Sequence, residues 1–191
     1  WTYAEAGRIV ANFSAWLTAQ GVGSGDRVAV AMRNYPEWIF AYWGIIAVGG
    51  VAVGMNAWWV ADEMAYALTD SEPKWLIADD RRLATFAEIL SDFPDIGIVA
   101  VRDSDSAVPA VQWADAVKEE GELASTAIDP DDDACIFVAC FNSAMNRRRT
   151  SPAWQQGSVD IQATQARRIQ HPLRQYQTIG SDHHRICLCG L

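Results

Sequence analysis

Four side chains near the end of the chain are of the types that bind zinc, namely His183, His184, Cys187 and Cys189. Structural zinc sites usually place two cysteines two residues apart and add a second, distant pair of ligands. Here a single residue separates the two cysteines, and no second pair is well placed. The spacing favours a chance cluster over a zinc site, so we predict no metal ligand among these residues.

Three glycines, Gly21, Gly23 and Gly25, alternate with other residues in a way that could cradle a phosphate. A dinucleotide-binding glycine motif follows a strand and opens a helix. The three glycines here follow a helical pattern and precede an apolar run typical of a strand. We therefore predict a helix-to-strand turn at this point.

Two clusters of like charge could bind ions. Asp129 and the run 131–133 offer carboxylates to a cation, and the run 147–149 offers three arginines to phosphate or nucleic acid. Short runs of like charge are usually solvated, and the several oxygen ligands of a calcium site are not evident. We predict exposed charge in both clusters rather than an ion site.

A set of large aromatic side chains could line a pocket for an apolar ligand. It comprises Trp38, Phe40, Tyr42, Trp43, Trp58 and Trp59. Large aromatic residues at such spacings belong more often to a core than to a ligand pocket. We predict that these side chains are core residues.

The elements that must position these residues alternate between amphipathic helices and apolar strands. Thr2 and Glu5 form a capping-box pattern for a first helix that ends at Gly21, and Asn34 is a candidate cap for a second helix that ends at Gly49. Further helices are predicted over 61–69, 81–90 and 113–120, and strands over 27–32, 51–55, 74–78, 96–101 and 134–138. This alternation predicts an α/β fold with a mostly parallel, doubly wound sheet.

Composition changes abruptly near residue 138. Residues 1–137 hold 8 Lys and Arg and 22 Asp and Glu, a charge of −14, whereas residues 138–191 hold 7 Arg and 2 Asp, a charge of +5. The helical and strand periodicity also fades after Val138. We predict a domain over 2–137 and an atypical tail over 138–191 without regular structure. The acidic domain would repel a nucleic-acid backbone, so we predict no nucleic-acid partner.

One stretch is long enough to cross a membrane. Residues 38–61 carry no charge over 24 positions, and a spanning helix needs about 20 apolar residues. Because Gly49, Gly50, Gly54 and Asn56 divide the stretch into helix, turn, strand and loop, we predict no transmembrane segment. A secretory signal pattern and a disulfide framework are both absent from the sequence, which favours a cytoplasmic setting. Because the first residue is Trp1 rather than Met, we expect a fragment of a longer product.

Several short motifs occur in an ordered series along the first 137 residues. They are TYAE (2–5), GVGSGDRVAV (21–30), NYPEW (34–38), AVGGVAV (47–53), MN (55–56), DEMAYAL (62–68) and DPDDDA (129–134). Each motif is weak alone, but their order and spacing resemble the start of an adenylate-forming enzyme of the acyl-CoA synthetase type, in the AMP-dependent synthetase and ligase family. The resemblance implies the first part of the large N-terminal domain of such an enzyme.

The resemblance also implies a reaction in two steps. A carboxylate, such as that of a fatty acid, attacks the α-phosphate of ATP and gives an acyl-adenylate and pyrophosphate. A thiol, usually that of coenzyme A, then displaces AMP and forms a thioester. The parent family is therefore expected to use ATP, Mg²⁺ and coenzyme A with a small-molecule carboxylate.

The chain departs from that family after the last predicted strand. The family continues with a loop rich in Gly, Thr and Ser that ends in Lys, because a phosphate grip needs close backbone approach, hydroxyl donors and a cation. Here no Gly occurs between Gly121 and Gly157, and no Lys follows Lys118. We therefore expect no catalytic, cofactor-binding or metal-binding residue in this chain, and no catalysis by the chain alone.

A shift of reading frame near codon 138 would explain the departure, and this is our hypothesis for the tail. Two alternatives stay open from the sequence. The chain could be a non-catalytic interaction module whose tail binds a partner, or a small nucleotide-binding α/β domain of a different family. A parallel sheet that is cut short also leaves a strand edge unpaired, so we expect self-association.

Overall fold

A computed structural model of the chain describes residues 1–103, 108–124, 126–129 and 131–138, together with the backbone of 139 and 185–189. The helices are α1 (Tyr3–Ala19), α2 (Pro36–Ala47), α3 (Ala61–Ser71), α4 (Asp80–Ala87) and α5 (Trp113–Ala116). The strands are β1 (Arg27–Ala31), β2 (Val51–Gly54), β3 (Trp75–Asp79), β4 (Gly97–Val101), β5 (Val111–Gln112), β6 (Cys135–Ala139) and β7 (Arg185–Cys189). Strand β7 lies within the tail, so the prediction that the tail lacks regular structure was wrong at Arg185–Cys189. The prediction for 140–184 and 190–191 lies outside the described residues.

The strands β1 to β6 form a parallel sheet in the order β5-β4-β3-β1-β2-β6. Strands β1 and β3 are neighbours at the centre of the sheet. From β1 the chain passes through α2 to β2, on one side of this central pair, and from β3 it passes through α4 to β4, on the other side. This arrangement confirms the predicted doubly wound α/β fold. All the carboxyl ends of the six strands lie at one edge of the sheet, as parallel pairing requires.

Two layers of helices cover the two faces of the sheet. Ile77 and Val99 join the core cluster that α1, α2 and α5 form on one face. Their neighbours Leu76 and Ile98 are also buried, and because side chains alternate along a strand they point to the face that α3 and α4 cover. Strands that are buried on both faces read as continuous apolar runs, and this is why the sequence shows no polar alternation in them.

Helix α1 begins as its sequence predicts. The Thr2 hydroxyl accepts a hydrogen bond from Glu5 N at 3.2 Å, and Thr2 N donates to the Glu5 carboxylate at 2.7 Å. This reciprocal pair is the predicted capping box. The chain turns away just after the helix at Gly21, whose φ of 76° is easy for glycine alone.

Helix α2 begins later than predicted. Its cap is Tyr35, without a side-chain hydrogen bond, so the expectation of an Asn34 cap was wrong. Pro36 occupies the first turn, where its missing N–H costs nothing, and it fixes the start of the helix without a polar cap. Helices α4 and α5 are shorter than predicted, and β5 has two residues and was not predicted.

Helices α1 and α2 pack closely because a glycine lies where they meet. Phe13 of α1 is fully buried and lies against Gly44 of α2, where an added Cβ would be 2.6 Å from Phe13 Cδ1. The Phe13 ring is also stacked on Trp16 at 5.8 Å and tilted on Trp113 at 4.7 Å between ring centroids. The ring therefore has little room to move away from Gly44.

The uncharged stretch 38–61 is divided as predicted. It forms most of α2, then a turn at 48–50, strand β2, a loop and the first residue of α3. Across the part of the chain that the structure describes, no helix is long and apolar enough to cross a membrane.

Candidate functional site

The glycine motif lies in a tight turn at the amino edge of the sheet. Gly23 N donates to Asp26 Oδ2 at 2.9 Å, and Gly25 N donates to the carbonyl of Gly49 at 2.9 Å. Gly21 and Gly25 both have positive φ, at 76° and 78°. The N–H groups of Gly23 and Gly25 thus already have partners, and the predicted helix-to-strand turn is confirmed.

Asp26 joins this turn to strand β3. Its Oδ2 also accepts a hydrogen bond from Lys74 Nζ at 2.7 Å. Partial burial opposes ionisation of Asp26, but the hydrogen bonds from Lys74 and Gly23 outweigh it and hold the pKa of this carboxyl below its usual 3.8. The contact is structural because it links the start of β1 to the start of β3.

The lowered pKa predicts that Asp26 adds a small stabilisation near neutral pH, which is lost in acid. Asp26 stabilises the fold fully above its unfolded pKa of 3.8, and this contribution is lost as the pH falls through the lower folded value. Asp26→Asn should cost about 1 kcal/mol or less near neutral pH, and this difference should vanish in acid. Urea unfolding of both proteins across the acid range measures it, and Lys74→Met should flatten the same pH dependence. A constant difference at every pH would contradict the assignment.

The acidic loop before β6 is solvated, as predicted. Asp129 and Asp131–Asp133 are all exposed. Asp131 N donates to Asp129 Oδ1 at 2.9 Å and Asp129 N donates to Asp132 Oδ2 at 3.0 Å, so these carboxylates fold the loop on itself. Among the described residues, no three His, Cys, Asp or Glu side chains converge as metal ligands would. The runs 147–149 and 183–184 and the side chains of Cys187 and Cys189 lie outside the described residues.

The aromatic set divides between core and surface. Phe40 is buried, and Trp38 and Tyr42 stack on each other at 5.6 Å and pack on the core. Trp43 and Trp58 are 52% and 76% exposed, so the prediction that they belong to the core was wrong. Burial raises the pKa of Tyr42, and its contact with Cys135 adds to the effect.

A buried ion pair lies at the carboxyl edge of the sheet, at the end of β3. Arg82 Nη1 donates to both carboxylate oxygens of Asp79, at 2.9 and 3.0 Å, and the two side chains are 6% and 0% exposed. Asp79 also accepts from Arg82 N at 3.2 Å and from Arg33 N at 3.1 Å. Arg82 Nε donates to the carbonyl of Ala57 at 2.8 Å, and Nη2 donates to the same oxygen.

Two further guanidinium groups lie on aromatic rings at this edge. Arg102 follows β4, lies 4.4 Å above the Tyr35 ring and pairs with Glu37 through two contacts of 3.1 Å. Arg33 follows β1 and lies 5.8 Å from the exposed Trp58 ring. Such cation–π pairs contribute about 0.5–1 kcal/mol at exposed sites. The edge therefore combines arginine and aromatic side chains from four connections.

A groove of about 540 Å³ opens beside this edge. Its apolar wall comes from the starts of α1 and α2, namely Trp1, Tyr3, Tyr35, Trp38, Ile39 and Phe40. Thr2 and Asn34 add polar groups, and none of the described side chains that line the groove carries a charge. The groove can hold an apolar body, and no charged side chain among the described residues lines it for a phosphate.

The charged residues of the carboxyl edge were not singled out from the sequence. A signal was present, because Asp79 and Arg82 follow a predicted strand, and so do Arg33 and Arg102. In a parallel sheet the residues after each strand share one edge. Charged residues at these positions could therefore have been grouped, although not paired, before the structure.

The fold and its ordered motifs match a known family. A family model described as AMP-binding enzyme matches residues 1–138.

The chain belongs to the AMP-binding enzyme family.

Curated members of this family with similar sequences are CoA ligases. The chain is 32% identical over 110 residues to the 3-hydroxybenzoate–CoA/4-hydroxybenzoate–CoA ligase of Thauera aromatica, covering 58% of this chain and 21% of that ligase. It is 33% identical over 92 residues to the long-chain-fatty-acid–CoA ligase of Bacillus subtilis (strain 168), covering 47% of this chain and 16% of that ligase. The chain thus spans about a fifth or less of the length of these two relatives.

Solved structures show the same fold. The anthranilate CoA ligase AuaEII in complex with anthranoyl-AMP has a TM-score of 0.69 at 20% identity, covering 73% of this chain and 27% of that one. The acetoacetyl-CoA synthetase from Streptomyces lividans has a TM-score of 0.66 at 25% identity, covering 72% and 23%. This AMP-binding enzyme chain therefore has the N-terminal fold of adenylate-forming CoA ligases.

Proposed function

We propose that residues 1–138 are the opening segment of an ATP-dependent acid–thiol ligase that works through an acyl-adenylate, and that this chain alone does not catalyse the reaction. The family match over 1–138 carries the first part of the proposal. The sequence after β6 supports the second part, because no Gly occurs before Gly157 and no Lys follows Lys118, and a triphosphate loop needs Gly close behind the strand together with a Lys.

Two of the arginines at the carboxyl edge are already paired with carboxylates, and this supports the proposed lack of catalysis. Arg82 and Arg102, which could bind a phosphate, are instead paired with Asp79 and Glu37. A guanidinium that is paired with a carboxylate must break that pair before it can bind a phosphate. For the buried Asp79–Arg82 pair this costs free energy, because the carboxylate is left buried without its counter-charge. ATP, Mg²⁺ and coenzyme A are accordingly proposed as ligands of the parent enzyme and not of this chain.

A pyrophosphate-release assay tests the proposal. The full chain is mixed with ATP, Mg²⁺, coenzyme A and a panel of aromatic and fatty acids, and an active acyl-CoA ligase serves as the positive control. We expect pyrophosphate release at the level of the protein-free mixture for every acid. Release that depends on one acid would show that this chain is a working ligase.

The tail hypothesis has a separate test. We propose that the chain is read out of frame from near codon 138 to Leu191, because charge, Gln, His and Cys content all change there. One of the other two reading frames beyond codon 137 should then encode a loop rich in Gly and Thr that ends in Lys. If neither frame encodes such a loop, the tail is a segment in its own right.

Three finer expectations remain proposals. Two of the relatives act, by their names, on hydroxybenzoates and long-chain fatty acids, so a fatty acid is one of two candidate acid classes for the parent enzyme. A cytoplasmic setting and self-association through a sheet edge also stay predictions from the sequence. Size-exclusion chromatography over a range of protein concentrations tests the self-association.

A further inference from the structure

The strand order puts a ligand-binding crevice at a definite place. In doubly wound sheets ligands bind outside the carboxyl ends of the strands, where neighbouring connections diverge to opposite sides. Here that point lies between β1 and β3, because β1 leads through α2 to β2 and β3 leads through α4 to β4. Arg33 follows β1 at this point, and Asp79 ends β3.

Side chains of the protein itself fill this crevice. The Asp79 carboxylate bridges it by accepting a hydrogen bond from Arg33 N at 3.1 Å. Arg82 binds Asp79 at the end of β3 and the carbonyl of Ala57 beyond the end of β2. Arg82 therefore joins the end of β3 to the connection that follows β2, and β1 lies between these two strands in the sheet.

The start of the loop between β2 and α3 is attached to β1, because Met55 N donates to the carbonyl of Val30 at 3.0 Å, and the residues that follow are held by short-range hydrogen bonds. Trp58 N donates to Asn56 Oδ1 at 2.9 Å, and Trp59 N donates to the carbonyl of Asn56 at 3.3 Å. Such local bonds shape the loop but do not attach it to the rest of the edge. The contact between Arg82 and the Ala57 carbonyl supplies that attachment, and Trp58 is the next residue.

The geometry points to Arg82 as a positioning residue with two roles. Its side chain takes the place of a ligand at the β1/β3 crevice, and its hydrogen bonds to the Ala57 carbonyl hold the next residue, Trp58, over Arg33. The donors of its guanidinium are divided between Asp79 and the carbonyl of Ala57, so each end of the bridge depends on the other. Without this side chain the crevice opens and the loop of 56–60 loses its hydrogen bonds to α4 at Ala57, whereas Arg33 N keeps its acceptor in Asp79.

Backbone ¹⁵N relaxation of the full chain tests this role. In Arg82→Met, the order parameters of 57–59 should fall from about 0.85 to below about 0.6, while those of Arg33 and β4 stay unchanged. Arg81→Met, which removes the exposed neighbouring arginine of the same helix, is the matched control and should change none of them. In Arg82→Ala, millimolar guanidinium chloride should enter the vacated position and restore the order of 57–59, whereas urea should not.

Three outcomes would overturn the proposal. The first is an Arg82→Met protein whose loop stays as ordered as in the parent. The second is an equal loss of order in β4 and in the loop, which would show a general role in stability. The third is an Arg82→Ala loop that guanidinium and urea affect alike.

Discussion

Phe13→Ala should lower the free energy of unfolding by about 3–5 kcal/mol, as expected for a large aromatic side chain removed from a core. The Phe13 ring is fully buried between α1 and α2 and contacts the rings of Trp16 and Trp113. Opposite the ring lies Gly44, which has no side chain that could fill the space. Urea unfolding measures the loss, and Trp43→Ala on the half-exposed side of α2 should cost much less.

The same contact predicts that Gly44→Ala destabilises the parent chain but stabilises the Phe13→Ala variant. In the parent chain Gly44→Ala places a Cβ 2.6 Å from Phe13 Cδ1, and overpacking of this kind costs about 1–3 kcal/mol. In the Phe13→Ala background the same methyl group enters the cavity, and alanine also favours the helix by about 1 kcal/mol. Gly7→Ala is the control, because nothing lies within 4 Å of its added Cβ, and it should stabilise both backgrounds. An equal effect of Gly44→Ala in both backgrounds would contradict the packing.

The order and type of the main elements could be predicted because their signals are local. The capping box of α1 lies within residues 2–5, and β1 to β4 are apolar runs that are continuous because both faces are buried. The ends of the elements could not be predicted as well. The start of α2, for example, is set by Pro36 and not by an Asn34 cap. Strand β5 is too short, at two residues, to give any periodic signal.

The contacts of the carboxyl edge could not be predicted because they depend on strand order. Arg102 and Glu37 are 65 positions apart and meet because β4, β3 and β1 are neighbours in the sheet. The exposure of Trp43 has a similar cause. Helix α2 is apolar almost all round, and its pattern alone does not tell which side faces the core.

The Asp79–Arg82 pair gives the second large prediction. Asp79→Ala should cost about 3–5 kcal/mol, because it leaves a guanidinium buried without its counter-charge. The same change also removes the acceptor for two backbone groups, Arg82 N and Arg33 N. Unfolding in urea measures the loss, and Asp80→Ala is the matched control because Asp80 is exposed and adjacent.

A double variant separates the charge from the hydrogen bonds. In Asp79→Asn/Arg82→Met both charges are gone, the amide oxygen of the introduced asparagine still caps α4, and the introduced methionine fills most of the volume of the arginine stem. Replacing a buried pair by uncharged groups of similar size is often nearly neutral, so the double variant should be more stable than Asp79→Ala by at least about 2 kcal/mol. If it were as unstable as Asp79→Ala, the pair would hold the fold through its hydrogen bonds to Ala57 and Arg33 rather than through mutual neutralisation. If the double variant instead regains the stability of the parent chain, the ion pair contributes little to the free energy of unfolding. Its role is then to hold the loop of 56–60 in position.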